Sequence, residues 1–95
     1  MASFTIICLD KPGHFDLRMK TRPEHLKWIE TEKPNASFIS PLIAEDGTTM
    51  VGSLYLAEFE DLAAARAFQK RDPYDKAGLF ERVAVHATRN IVKPQ

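Results

Sequence analysis

The chain has 95 residues, of which 44% are hydrophobic, and its 13 basic residues balance 13 acidic ones. This length fits one small domain over residues 1–95, and the hydrophobic fraction is that of a folded protein rather than a disordered one. A formal net charge of zero gives no electrostatic reason to expect nucleic acid or an anionic membrane surface as a partner. We therefore expect no nucleic acid and no membrane among the partners.

The single cysteine, Cys8, cannot form a disulfide within the chain and lies in an apolar run, so we expect a buried, inert thiol. The first residues lack the basic and apolar segments of a signal peptide. No apolar run in the sequence reaches the length that spans a bilayer. Together these observations predict a cytoplasmic protein.

The first third of the chain predicts a strand and a helix. Residues 4–9 are β-branched, aromatic and apolar on both faces, as in a central strand covered from both sides. Thr21 followed three residues later by Glu24 is a capping-box pattern, which predicts a helix from Thr21 to about Glu32. His25 would then lie close to the helix N-terminus. The expected core stripe of this helix is Leu26 and Ile29, with Trp28 at its edge.

Two more strands follow, joined by a turn. Residues 37–43 read as a strand in which Pro41 indicates a sheet edge or a bulge. Residues 45–48 contain Asp-Gly, which favours a hairpin turn. Residues 49–59 then give a third strand with apolar side chains on both faces.

The last part predicts a helix, a turn and a final strand. Asp61 is the expected N-cap of a helix from Leu62 to about Arg71, and Asp72, which precedes a proline, marks its end. A short helical piece ending at Gly78 leads to a strand over residues 80–87, and residues 91–95 could extend that strand or pair with a partner.

The element order β-α-β-β-α-β predicts an α+β fold of the ferredoxin-like sandwich type. Its four-stranded antiparallel sheet carries two helices on one face. The other face keeps apolar side chains, and a monomer would leave them exposed. We therefore expect a homodimer with the two uncovered sheet faces together, which is a dimeric α+β barrel.

His25 and Asp72 are the candidate catalytic pair. Both helices lie on the same sheet face in this topology, so the two side chains can meet. A carboxylate bound to one imidazole nitrogen fixes the tautomer and leaves the other nitrogen as a base or acid near pH 7. That chemistry suits proton abstraction next to a carbonyl, or loss of halide or water. The alternative is a structural hydrogen bond in which Asp72 caps a turn.

Three further residues are candidates for binding a small-molecule substrate. Arg22 can hold a carboxylate with its planar fork, or it can be a solvated side chain of the first helical turn. Tyr74 can donate to a ligand or simply pack, and Ser53 on the third strand can line the same pocket. His14 and His86 are expected to be a loop residue and a sheet residue.

The sequence predicts no metal and no cofactor. Its three histidines lack the spacing of zinc ligands. It contains no Gly-rich phosphate motif and no setting for a Ser or Cys nucleophile, so nucleotide hydrolysis and acyl transfer are unsupported.

Several segments, in the same order over nearly the whole chain, resemble the YciI-like (YCII-related) family. They are residues 22–26 (Arg-Pro-Glu-His-Leu), 58–59 with 64–68, 72–74 (Asp-Pro-Tyr) and 77–79 (Ala-Gly-Leu). One departure is Ser40-Pro41, where the family usually has Gly-Pro. The resemblance implies a dimeric ferredoxin-like fold and a His–Asp pair as the candidate catalytic centre. It also implies a link to relatives that act as dehydrochlorinases on chlorinated aromatic breakdown products.

Two functions of different classes remain. The first is a cofactor-independent lyase or isomerase that uses His25 as base and Asp72 as its orienter. The second is a non-catalytic module that binds a small ligand, or assembles with a partner, through the same pocket. Catalysis needs the charge of Asp72, whereas binding tolerates Asp72→Asn far better.

Overall fold

The computed structural model describes residues 1–32 and 35–89. Four strands form one antiparallel sheet in the spatial order β2-β3-β1-β4. The strands are β1 (Ala2–Asp10), β2 (Asn35–Ile43), β3 (Met50–Phe59) and β4 (Phe80–Thr88). The helices are α1 (Phe15–Glu32), α2 (Leu62–Lys70) and the one-turn α3 (Pro73–Lys76). The predicted ferredoxin-like fold is confirmed, and residues 91–95 lie outside the described residues.

Strand β1 is central, as its apolar sequence predicts. Ile6 pairs with Tyr55 of β3 on one side and with Val85 of β4 on the other. Strand β2 lies at the sheet edge, and its register with β3 shifts between Leu42 and Ile43. Pro41 therefore sits where its missing backbone N–H costs least.

The hydrophobic core lies between the sheet and the helices. Aromatic rings fill much of it: Phe68 of α2 meets Tyr55 edge-on at 5.5 Å and Trp28 of α1 at 4.8 Å between ring centroids. Cys8 is fully buried in this core, and burial raises the pKa of its thiol well above the ordinary value. The predicted burial of the thiol is thus confirmed. The core cluster comprises Ile6, Cys8, Tyr55 and Phe68, with Trp28, Ile29, Phe59, Phe80 and Val85 packed against it.

Helix α1 begins at Phe15, so the predicted start at Thr21 is wrong. Thr21 is buried inside the helix and caps nothing, and Pro23 is accommodated within it. The physical reason is that the buried face of α1 is polar: it consists of Arg18, Thr21 and His25. Leu26, predicted to be core, is 46% exposed. His25 therefore lies in the middle of the helix rather than near its N-terminus.

The end of α2 places the carboxylate of Asp72. Asp61 caps the start of α2 by accepting a hydrogen bond from the Ala64 N–H at 2.9 Å, as predicted. Asp72 then caps α3 by accepting from the Tyr74 N–H at 2.9 Å. An ion pair between Arg71 and Glu32, at 2.7 Å, joins this region to the end of α1.

The sheet face away from the helices carries an apolar patch that we call the open face, formed by Ile7, Leu9, Phe38, Leu54 and Leu56. Since Ile6 and Cys8 point into the core, alternation along β1 turns Ile7 and Leu9 the other way. Phe38 is 43% exposed and Leu9 is 37% exposed. None of the helices in the described ranges is long and apolar enough to cross a membrane.

Candidate active site

The carboxylate of Asp72 is completely buried and accepts three hydrogen bonds. The Tyr55 hydroxyl donates to Oδ2 at 2.9 Å, and the Tyr74 N–H donates to Oδ1 at 2.9 Å. Nδ1 of His25 lies 3.0 Å from the same Oδ1. Three donors explain how the carboxylate can be buried without an unpaired oxygen. The predicted contact between His25 and Asp72 is confirmed.

This contact fixes the chemistry of His25. A carboxylate only accepts hydrogen bonds, so Nδ1 of His25 carries a proton, and in the neutral imidazole it is Nε2 that holds the free lone pair. The side chain is almost buried, yet it lines a cleft between α1 and strands β2 and β3. Nε2 is therefore the nitrogen available to a ligand.

Tyr74 packs in the site as a flat surface. Its ring is stacked on the imidazole of His25, with centroids 4.2 Å apart, and the guanidinium carbon of Arg18 lies 4.3 Å from the same centroid. Arg18 and His25 are two turns apart on α1, about 10 Å along the axis. The Tyr74 ring thus fits between them. Burial raises the pKa of its phenol, which keeps the hydroxyl protonated.

Arg18 was missed by the sequence analysis, although it is 2% exposed and lies at the centre of the site. Its Nε and Nη2 donate to the two oxygens of Asp10 at 2.6 and 3.0 Å, and Nη2 also donates to Ser53 Oγ at 2.9 Å. Burial alone would lower the pKa of the guanidinium, but the hydrogen bond to Asp10 and the charge of Asp10 together outweigh it, so the pKa is raised. Arg18 is therefore a permanent buried cation.

The cleft has a volume of about 140 Å³. Apolar cavities of about 150 Å³ hold one benzene molecule, so a single six-membered ring fits. Four of the five predicted site residues line it, namely Arg22, His25, Ser53 and Tyr74, while Asp72 lies behind His25. The remaining lining residues are Arg18, Leu26, Ile39, Ser40, Pro41, Met50 and Tyr55.

The other two histidines lie outside the cleft. His14 bonds through Nδ1 to the Pro12 carbonyl in the loop before α1, and His86 is an exposed residue of β4. Among the described residues, no group of three His, Cys, Asp or Glu side chains is placed to hold a metal ion.

A family model for the YCII-related domain matches residues 2–89. The chain belongs to the YCII-related domain family. Among curated members of the YCII family, protein YciI from Escherichia coli is 30% identical over 95 residues, covering 93% of this chain and 97% of that protein. An uncharacterized protein from Haemophilus influenzae is 30% identical over 97 residues with the same coverage.

A solved structure that resembles this YCII protein over nearly its whole length is that of a dehydrochlorinase. It is 5-chloro-2-hydroxyhydroquinone dehydrochlorinase (TftG) from Burkholderia phenoliruptrix, in complex with 2,5-dihydroxybenzoquinone. It is 28% identical with a TM-score of 0.82, covering 92% of this chain and 93% of that one. An antibiotic biosynthesis monooxygenase, 12% identical with a TM-score of 0.55, covers 97% of this chain and 100% of its own. That second likeness is one of fold alone.

Proposed function

We propose that this YCII-family protein is a cofactor-independent lyase or isomerase acting on a small oxygenated ring, with His25 as general base and Asp72 as its orienting carboxylate. The observation that carries the proposal is the contact of His25 Nδ1 with the buried Asp72, which leaves Nε2 at a cleft the size of one ring. The likeness to a dehydrochlorinase over nearly the whole chain supports the reaction class.

The proposed step is a proton abstraction. Nε2 of His25 takes a proton from a carbon next to a carbonyl, and the electron pair of that C–H bond forms a new C=C bond. In the lyase form, on the keto tautomer of a chlorinated hydroxyhydroquinone, Nε2 instead takes the proton of a ring hydroxyl; the electron pair of the O–H bond moves through the conjugated ring and chloride leaves, so HCl is lost overall. In the isomerase form, the imidazolium returns the proton to a different carbon. Asp72 stabilises the imidazolium in either case.

The experiment is a turnover assay on chlorinated hydroxyhydroquinones and small unsaturated lactones, following chloride release and ultraviolet absorption. We expect His25→Ala to lower the rate by about 10²-fold or more without changing the circular dichroism spectrum. His14→Ala is the matched control, because it removes an imidazole in the loop before α1, outside both the cleft and the open face. If His25→Ala turns the substrate over at the wild-type rate, His25 is not the base.

A non-catalytic binding module is the second candidate. One observation favours it: Asp72, with its three donors, also caps α3 and is part of the fold whether or not chemistry takes place. In that case a ring compound binds in the cleft, no product forms, and Asp72→Asn weakens binding only slightly if the protein stays folded.

We also propose that a second copy of the chain covers the open face. The supporting observation is that neighbouring strands put Ile7 beside Leu54 and Phe38 beside Leu56, which makes one continuous apolar surface. A cytoplasmic location is proposed as well, supported by a single cysteine that is free and buried.

A further inference from the structure

One amino group of Arg18 has no hydrogen-bond partner in the part of the chain that the structure describes. Nε and Nη2 make all of the recorded hydrogen bonds of this side chain, and Nη1 has no acceptor among residues 1–32 and 35–89. In that same part of the chain, every side-chain nitrogen or oxygen sealed from solvent has a partner. Because Arg18 lines the cleft and is otherwise buried, Nη1 must be the part of the guanidinium that reaches the cleft.

We propose that Nη1 of Arg18 is a binding site for an anionic or strongly polarised oxygen of the ligand. This inference rests on the proposed function and names the substrate class for the same cleft. Asp10, Ser53 and the Tyr74 ring hold the guanidinium from three sides, so the two free N–H groups are aimed before the ligand arrives. A pre-organised donor loses little conformational entropy on binding.

The balance of charges at the site further restricts the class of ligand that it can bind. Asp10 neutralises the formal charge of Arg18, so the site has no large net positive charge. It therefore selects its ligand through the direction of two N–H donors. Exposed Arg22 adds one cation at the cleft. This combination fits an enolate or a single carboxylate far better than a polyphosphate.

The position of Arg18 relative to His25 points to a ring enol. Both side chains line the same cleft, which has the volume of one six-membered ring, so a single ring in it can present an oxygen to Arg18 and a carbon to His25. When His25 removes a proton from that carbon, negative charge develops on the carbonyl oxygen. A donor already in place at that oxygen stabilises the transition state more than the ground state.

The test is a binding experiment that needs no turnover. Calorimetry compares 2,5-dihydroxybenzoquinone, which is anionic at neutral pH, with resorcinol, a neutral ring of similar size. We expect the acidic ring to bind more tightly to the wild type. ¹⁵N NMR of the guanidinium should show Arg18 signals moving with the acidic ring and not with resorcinol.

The variants separate Arg18 from its surroundings. Arg18→Met alone would leave the buried Asp10 carboxylate without its cation. The double variant Asp10→Asn/Arg18→Met is used instead, because it removes both charges of the pair. We expect this double variant to bind 2,5-dihydroxybenzoquinone about tenfold to a hundredfold more weakly than the wild type does, with little change in the affinity for resorcinol. Arg22→Met should have a smaller effect, and Arg66→Met on the exposed side of α2 should have none.

Three results would overturn the inference: unmoved Arg18 signals while those of His25 shift, unchanged selectivity in the double variant, or no binding of either ring at millimolar concentration. If the double variant does not fold, the wild-type NMR titration decides the question. Binding through Arg18 without turnover of any substrate overturns the enzyme function and leaves this site standing. Turnover that does not depend on Arg18 overturns this binding site and leaves the enzyme function standing.

Discussion

The imidazole of His25 is stacked on the ring of Tyr74, with centroids 4.2 Å apart and planes inclined by 18°. Tyr74 follows Asp72 by two residues, so one short turn supplies both the carboxylate at the edge of the imidazole and the aromatic surface at its face. A ring held at edge and face cannot rotate freely about its side-chain bonds. The turn at Asp72-Pro73-Tyr74, which ends α2, thus also holds the imidazole of the candidate base in its orientation.

The stack gives a first prediction, at Tyr74. Tyr74→Phe keeps the ring and should change the free energy of unfolding by less than about 1 kcal/mol, since the hydroxyl has no hydrogen-bond partner among the described residues and is not sealed from solvent. Tyr74→Leu removes the contacts with His25 and Arg18 and should cost about 2–4 kcal/mol. Urea unfolding followed by circular dichroism measures both. Equal stabilities for the two variants would show that the stack contributes nothing.

A second prediction concerns Tyr55 and pH. Burial, followed by the Asp72 charge, raises the pKa of the Tyr55 phenol well above its ordinary 10.0. The folded pKa exceeds the unfolded one, so the stability from this group is complete below about pH 10 and falls as the pH rises further. At pH 7, Tyr55→Phe should cost about 1–3 kcal/mol, because Asp72 Oδ2 loses its donor.

The check is urea unfolding of both proteins between about pH 7 and pH 10.5. The gap between wild type and Tyr55→Phe should narrow above about pH 10, because the wild type alone loses the Tyr55 contribution there. A gap that stays constant or widens over this range would contradict the raised pKa.

A third prediction concerns Gly52 in strand β3. A Cβ there would lie 2.5 Å from the Cys8 carbonyl oxygen and 2.9 Å from Leu42 Cδ1. The carbonyl belongs to the central strand and cannot move without disturbing its pairing, so Gly52→Ala should cost about 3 kcal/mol or more. Gly47→Ala is the control: φ is +81° there and no atom lies within 4 Å of the added Cβ, so the cost is about 1–2 kcal/mol. Thermal unfolding ranks the two, and the reverse order would refute the steric argument.

A fourth prediction tests the proposed pairing of two chains through the open face. Light scattering at micromolar concentration should give twice the mass of one chain for the wild type. Leu54→Glu should give a single chain or a much weaker dimer, because it places a charge in the centre of the patch. Val83→Glu is the matched control, since Val83 pairs with Cys8, lies on the helix side of the sheet and is 39% exposed. A wild-type mass of one chain would rule out the dimer.

The element order and the meeting of His25 with Asp72 could be predicted from the sequence. Apolar runs of strand length, strong breakers and the βαββαβ order place α1 and α2 on one sheet face, which brings the two side chains within reach. The edge position of β2 was one of the two alternatives, edge or bulge, that Pro41 predicted. These features depend on local composition and on topology, both of which a single sequence records.

Arg18 and the start of α1 could not be predicted by that route. Apolar periodicity finds a helix through an apolar buried face, whereas α1 buries Arg18, Thr21 and His25. The cost of burying Arg18 is offset by Asp10 in the preceding strand and by Ser53 in β3, which are tertiary contacts. The available signal was the spacing of 18, 21 and 25, which puts three polar side chains on one face.

Trp28 has a practical consequence for every experiment on this site. It is the one tryptophan in the chain, and its ring lies 5.9 Å from the imidazole of His25 and 4.8 Å from Phe68 of the core. An indole at this distance is quenched by a protonated imidazole or by a quinone in the cleft. When only the indole is excited, the fluorescence of the unlabelled protein thus comes from a single emitter beside the candidate base, and it reports on that base and on its ligand.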